Sequence, residues 1–171
     1  EDLSTVLEAG HEELGWLAKS GRLALGYLND EAKTKKTYPV VQGVRYVVPG
    51  DRARLTVDLM IELHGRDSVT INSGGEKIFA EEVEMAIKAH PAIVDCVVAG
   101  RPSQRWGQEV VAVVQIRPNT VVSEEELLAE AAKHIARYKL PKAFVFHDLI
   151  VRSPSGKADY RWAKSIVAPE N

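Results

Sequence analysis

Ile93-Val94-Asp95-Cys96-Val97-Val98-Ala99 and Val110-Val111-Ala112-Val113-Val114-Gln115-Ile116 are two near-continuous runs of β-branched and small apolar residues. Such runs mark strands that are covered on one face or on both. Ala143-Phe144-Val145-Phe146 reads as a third strand. Helical patterns flank all three. Glu81 to His90 sets Val83, Ala86 and Ile87 on one face, with Pro91 ending the helix. Ser123 and Glu126 form a capping box ahead of Leu127, Leu128, Ala131 and Ile135. A three-stranded sheet flanked by helices, α+β in class, is the expected architecture from Gly65 onward.

Upstream the pattern changes. From Ser20 to Leu63 short apolar runs alternate with turn residues: Leu23–Leu28, Val44–Val48, Leu55–Val57 and Leu59–Leu63. Short strands fit these runs. Glu1-Asp2-Leu3 has no initiator methionine and runs into a segment punctuated by Gly10, Gly15, Gly21 and Gly26, so the chain is expected to open inside a domain. A boundary at Gly65 divides a β-rich part, 1–64, from a second part, 65–171.

Composition narrows the function classes. The 171 residues are 45% hydrophobic and 27% charged, which supports a packed core without staples. A net charge of -2 provides no basic face for nucleic acid. No stretch approaches the ~20 apolar residues of a membrane span, and the acidic start is no export signal, so a cytoplasmic protein is expected. Cys96, within an apolar run, reads as a buried thiol. His11, His64, His90, His134 and His147 show no metal-ligand spacing, and no metal site is expected. The chain has no GxGxxG, and Gly156-Lys157 lacks the earlier glycine of a phosphate-binding loop.

Three loops are richer than a scaffold requires. Pro49-Gly50-Asp51-Arg52 is either a plain hairpin turn or a carboxylate placed to accept hydrogen bonds from vicinal hydroxyls. Gly65-Arg66-Asp67-Ser68 leads into Ser73-Gly74-Gly75-Glu76-Lys77 and the acidic helix start Glu81-Glu82-Val83-Glu84. Those carboxylates are ordinary partners of a helix dipole, and Gly74-Gly75 is either a hairpin turn or a place where backbone approaches a narrow ligand arm. Arg152-Ser153-Pro154-Ser155-Gly156-Lys157 delivers one lysine just before a short terminal helix. It is a solvated side chain, or a cation that offsets charge when another domain closes over it.

Together and in this order, the three loops resemble the later core motifs of the adenylate-forming enzymes, namely acyl-CoA synthetases, luciferases and nonribosomal adenylation domains. The likeness includes Leu14-Gly15-Trp16-Leu17-Ala18 and Leu25-Gly26-Tyr27-Leu28-Asn29-Asp30, and so covers essentially the whole chain. Ser73-Gly74-Gly75-Glu76-Lys77 looks most like bacterial fatty-acyl-CoA synthetases.

The resemblance implies that residues 1–64 end a large N-terminal domain and that 65–171 form a mobile C-terminal domain. It implies that Asp51 binds the ATP ribose hydroxyls, that Arg66 assists at ribose and phosphates, and that Lys157 drives acyl-adenylate formation. Gly75 would line the pantetheine path of CoA, and Ser68 stands at the hinge where many members carry an acidic residue or lysine. ATP with Mg²⁺, CoA and a fatty or other carboxylic acid are the implied substrates, with the missing N-terminal domain as partner. The fragment alone is expected to be inactive, and strands that have lost their partners invite pairing into a homodimer. Two alternatives stand beside this reading: an acyl-AMP ligase or carrier-loading adenylation enzyme, and a non-catalytic α+β interaction module.

Overall fold

The computed structural model describes residues 3–168; residues 1–2 and 169–171, the outer ends of the two expected parts, lie outside the described residues. The chain divides into two compact units, Glu1–Ser68 and Val69–Asn171. This division falls a few residues beyond Gly65. The reason is local: Gly65 and Arg66 still pair with Arg52 and Asp51, so the ladder of the first unit holds them.

The first unit contains β1 (Gly15–Trp16), β2 (Lys19–Ser20), α1 (Glu31–Thr37), β3 (Val40–Val41), β4 (Val44–Val47), β5 (Asp51–Leu55) and β6 (Ile61–Arg66). They form two antiparallel sheets, ordered β1-β5-β6 and β2-β4-β3. The strands expected around Val44 and after Leu59 are present, as β4 and β6. Leu23–Leu28 is not a strand: apart from an isolated Tyr27–Asp30 bridge it has no ladder partner among the described residues, and Leu25 and Leu28 are almost wholly exposed. The helix α1 was not anticipated. It begins where the Asp30 carboxylate accepts the Lys33 N–H at 2.9 Å, a local cap that a search for apolar periodicity passes over.

The second unit contains β7 (Thr70–Ser73), β8 (Glu76–Phe79), α2 (Ala80–Lys88), β9 (Ile93–Ser103), β10 (Gly107–Ile116), α3 (Glu124–Ala131), β11 (Ala143–Phe146) and α4 (Tyr160–Val167). The three expected strands are β9, β10 and β11. β10 pairs antiparallel with β9 over its whole length and parallel with β11, and Gly107 meets Ser73 of β7. The hairpin β7–β8 thus extends the sheet to five strands. Its turn is Gly74-Gly75, both at positive φ, a two-residue connection that suits the twist of the flanking strands.

Both faces of this sheet are covered. Cys96, Val98, Val110, Ala112 and Val114 share one core with Val83, Ala86, Ile87, Leu127 and Ala131 from α2 and α3. Val97, Ala99, Val111 and Val113 form the other with Ile150, Ala163 and Val167. Alternation along each strand therefore feeds two cores, which is why the runs read as continuously apolar. Burial pushes the Cys96 thiol well up, as suits a core residue. The capping box at Ser123 and Glu126 is formed, although α3 ends at Ala131, before Ile135.

Glu84 departs from the sequence reading. It is buried on α2, where one carboxylate oxygen accepts the Val98 N–H at 3.0 Å and the other lies 3.5 Å from the Tyr160 hydroxyl. Glu82, two residues earlier, is instead held by the Lys139 ammonium at 2.6 Å. Burial pushes the Glu84 carboxyl above its ordinary value, against the opposing effects of the Val98 hydrogen bond and Lys88.

Two outcomes follow for stability. Leu127→Ala empties a fully buried position in the first core and should cost about 3 kcal/mol, read as a lower urea midpoint at unchanged slope. For Glu84, a folded pKa above the unfolded one means stability that is complete below its ordinary value of 4.5 and is lost as pH rises through the folded value. Glu84→Gln keeps an acceptor for Val98 and cannot ionise. Its stability relative to the parent chain should rise as the pH increases above 4.5 in urea titrations, and an unchanged difference would contradict the burial argument.

Candidate functional site

Asp51 and Arg66 are brought together by register. They are partners at the end of the β5–β6 ladder, and the Arg66 Nε donates to Asp51 Oδ1 at 3.1 Å. The Gly50 carbonyl accepts the Asp67 N–H at 3.1 Å, and Leu17 donates to the Asp51 carbonyl at 2.9 Å, so backbone bonds fix the turn on both sides. Gly50 sits at φ 99°, a conformation that suits glycine. Behind the turn, Arg52 is buried, donates to the Leu14 carbonyl at 2.9 Å and stacks 4.4 Å from the Trp16 ring. The pair is partly exposed, so it organises a polar corner and contributes little to stability. A cleft of about 450 Å³ in this unit is lined by residues including Leu7, Trp16, Val41 and Leu55; neither Asp51 nor Arg66 lines it.

Ser68 lies in a short 3-10 turn, Asp67–Val69, and is the last residue of the first unit. The remaining two predicted positions belong to the second unit. Gly75 is the second turn residue between β7 and β8, at φ 90°, with open space where a side chain would project. Gly74 differs. A Cβ there would meet Trp106 Cε3 at 2.9 Å, and the Gly74 N–H donates to the Trp106 carbonyl at 2.8 Å. The Trp106 ring has the Arg105 guanidinium 4.6 Å and the Lys142 ammonium 5.9 Å from its centroid. An aromatic ring with two cations near it, beside an unobstructed glycine turn, can take a narrow apolar arm with anionic groups attached.

Lys157 is exposed at the end of a loop that is held from the opposite end of the sheet. Arg152 donates from Nε and Nη2 to the two Asp95 oxygens, each at 2.6 Å, and from Nη1 to the Gly156 carbonyl at 3.1 Å. Burial opposes the charged form of Asp95, but the Arg152 hydrogen bond, the Cys96 N–H and the Arg152 charge outweigh it and hold the carboxyl below its usual value. Asp95 pairs with Gln115 at one end of the β9–β10 ladder, and Ser103 pairs with Gly107, next to the Gly74-Gly75 turn, at the other. From Asp95 to Ser103 an extended strand covers roughly 25 Å at about 3.3 Å per residue. The lysine loop and the glycine turn are therefore anchored at opposite ends of one strand pair.

Residues 82–157 match the family described as AMP-binding enzyme C-terminal domain. The matched stretch lies within the second unit. Across 96% of its length it is 66% identical to a medium-chain acyl-CoA ligase, Mig, of Mycobacterium avium, and 46% identical to a medium/long-chain-fatty-acid–CoA/3-oxocholest-4-en-26-oate–CoA ligase of Mycobacterium tuberculosis. It spans only 30% of each. Among solved structures, o-succinylbenzoate CoA synthetase from Bacillus subtilis, in complex with its acyl-adenylate intermediate, superposes with a TM-score of 0.84 at 28% identity, over 96% of this chain and 32% of that one. The α+β reading and the likeness to adenylate-forming enzymes are borne out by these matches.

The sequence reading missed Trp106, Lys142 and the Asp95–Arg152 pair. An aromatic residue in the turn between two buried strands was the available signal for Trp106. Lys142 and Asp95 had none, because their partners lie far away in the chain. No group of three or more metal-ligating side chains occurs among the described residues, and no helix among them is long and apolar enough to cross a membrane.

The two glycines should respond differently to one methyl group. Gly74→Ala should displace the Trp106 ring and shift its fluorescence, whereas Gly75→Ala should leave the emission nearly unchanged and cost only about 1–2 kcal/mol for its positive φ. Equal spectra for both variants would refute the packing of Trp106 on Gly74.

Proposed function

We propose that this chain is the C-terminal part of an AMP-forming carboxylate:CoA ligase acting on medium-chain fatty acids, in a full-length protein about three times as long. The observation that carries the reading is the separation of Lys157 from Gly75 at opposite ends of the β9–β10 ladder, on a unit divided from Asp51 and Arg66 at Ser68. One rigid unit can then serve two half-reactions by turning about Ser68. The relatives' names, fatty-acid ligases of medium and long chain, support the substrate class.

In the first half-reaction a carboxylate oxygen of the fatty acid attacks the α-phosphorus of ATP. The bond to the β-phosphate breaks and pyrophosphate leaves; Mg²⁺ accompanying ATP would offset charge on the phosphates. Asp51 accepts hydrogen bonds from the ribose hydroxyls, and Arg66, already beside it, orients it and adds positive charge toward the phosphates. Lys157 approaches as a free ammonium and offsets the charge shared by the attacking carboxylate and the α-phosphate.

In the second half-reaction the CoA sulfur, having lost its proton, attacks the acyl carbonyl, and AMP leaves with the electrons of the mixed-anhydride bond. The open Gly75 turn admits the pantetheine arm, and Arg105 and Lys142 around Trp106 supply cations for its phosphates. No Lys157 is needed here.

The test uses the full-length ligase. Lys157→Ala should slow acyl-adenylate formation, followed by ATP–pyrophosphate exchange, by about 100-fold or more, while thioester formation from supplied acyl-adenylate changes only a few-fold. Equal loss in both steps would remove Lys157 from this role. Absence of any CoA thioester from the wild-type enzyme, with exchange intact, would favour an acyl-AMP ligase instead.

A further inference from the structure

Resting on that reading, we propose that Arg152 is a positioning residue for Lys157. Its guanidinium, locked on Asp95, is the strut that holds the lysine loop in its reactive shape before any substrate arrives.

The loop is held by hydrogen bonds rather than by burial. Ser153, Ser155 and Gly156 are small, Gly156 is at φ 77°, and the segment is largely exposed. Its order comes from bonds at its two ends. The Ser153 N–H donates to the Lys157 carbonyl at 2.9 Å, Gly156 donates to the Ser153 carbonyl at 2.8 Å, and the Lys157 N–H reaches Ser153 Oγ at 3.2 Å. Arg152 and Ala158 form a bridge where the loop closes. Beyond it, the Asp159 carboxylate accepts the Arg161 and Trp162 N–H groups at 3.0 Å and starts α4. The backbone around Lys157 is thus fixed, while its side chain is exposed.

Arg152 joins this small structure to the sheet. Two of its nitrogens are committed to Asp95 on β9, and a third is committed to the carbonyl of Gly156, the residue before Lys157. Asp95 is itself held, because its Oδ1 also accepts the Cys96 N–H at 2.8 Å. A planar fork with donors on two sides can bridge a carboxylate and a carbonyl at once. A lysine ammonium in its place keeps the charge pair but loses the fork, so the Gly156 contact should be lost first. Placement matters at this scale, since a misplacement of about 1 Å can cost about 100-fold in rate.

A purely structural ion pair would act on both half-reactions alike; a strut for Lys157 would act on one. In the full-length ligase, Arg152→Lys should lower kcat for acyl-adenylate formation by about ten- to 100-fold, leave KM for ATP within about twofold, and leave thioester formation from supplied acyl-adenylate within about twofold. In a Lys157→Ala background the same substitution should have no further effect on adenylation, because the strut then has nothing to position. Asp95→Asn provides an independent probe, with a smaller loss confined to the same half-reaction. Equal loss in both half-reactions, wild-type adenylation in Arg152→Lys, or additive loss in the double variant would each overturn the proposal. If Lys157→Ala itself leaves adenylation intact, the proposed function fails first; if it does not and Arg152→Lys is silent, only the strut fails.

Discussion

The antiparallel ladder between β9 and β10 is the constraint on which the second unit depends. It runs from Ile93 opposite Ile116 to Ser103 opposite Gly107, and its middle, Cys96–Ala99 against Val111–Val114, is buried on both faces. A strand pair buried on both sides must find cover for each face, which fixes α2 and α3 on one and α4 on the other. β10 takes β11 and β7 on its remaining edge. Everything chemical hangs from the ends of this pair, so a rigid ladder sets the distance between the lysine loop and the glycine turn.

The outer edge of β9 is managed by carboxylates rather than by another strand. Glu84 takes the Val98 N–H and Asp95 takes the Cys96 N–H. Each closes a donor that would otherwise invite a foreign strand. Each also reaches onward, Glu84 to the Tyr160 hydroxyl and Asp95 to Arg152, so the residues flanking Lys157 are tied to the same edge. Their charge states are pushed in opposite directions, because Glu84 has a weak second partner in a buried place and Asp95 has a guanidinium. Edge protection and loop positioning are thus served by the same two side chains.

The first unit has a different character. Its strands are short, and Leu25, Leu28, Val57 and Ile61 are exposed, so its apolar side chains are less well covered than those of the second unit. Its polar corner is nonetheless preorganised. Backbone bonds to Gly50 and Asp51, with the buried Arg52 on Trp16, hold the Asp51–Arg66 pair in place. Local turn chemistry and one ladder suffice for that, so the pairing of Asp51 with Arg66 could have been inferred from a hairpin with its turn near Asp58.

Local pattern alone determined the strand runs Ile93–Ala99, Val110–Ile116 and Ala143–Phe146, the helix faces of Val83, Ala86, Ile87 and Leu127, the Ser123 cap, and the three loops that carry Asp51, Gly75 and Lys157. These are set by residues within a few positions of one another, where periodicity, capping and turn preferences act. The tertiary structure decided what depends on distant residues: that Glu84 turns inward among acidic neighbours, that Trp106 lies on Gly74, that Arg152 finds Asp95, and that the lysine loop and glycine turn occupy opposite ends of one ladder. A carboxylate on a helix looks the same in sequence whether it faces water or a strand edge. Only the packing of β9 against α2 supplies the N–H group that makes burial of Glu84 tolerable.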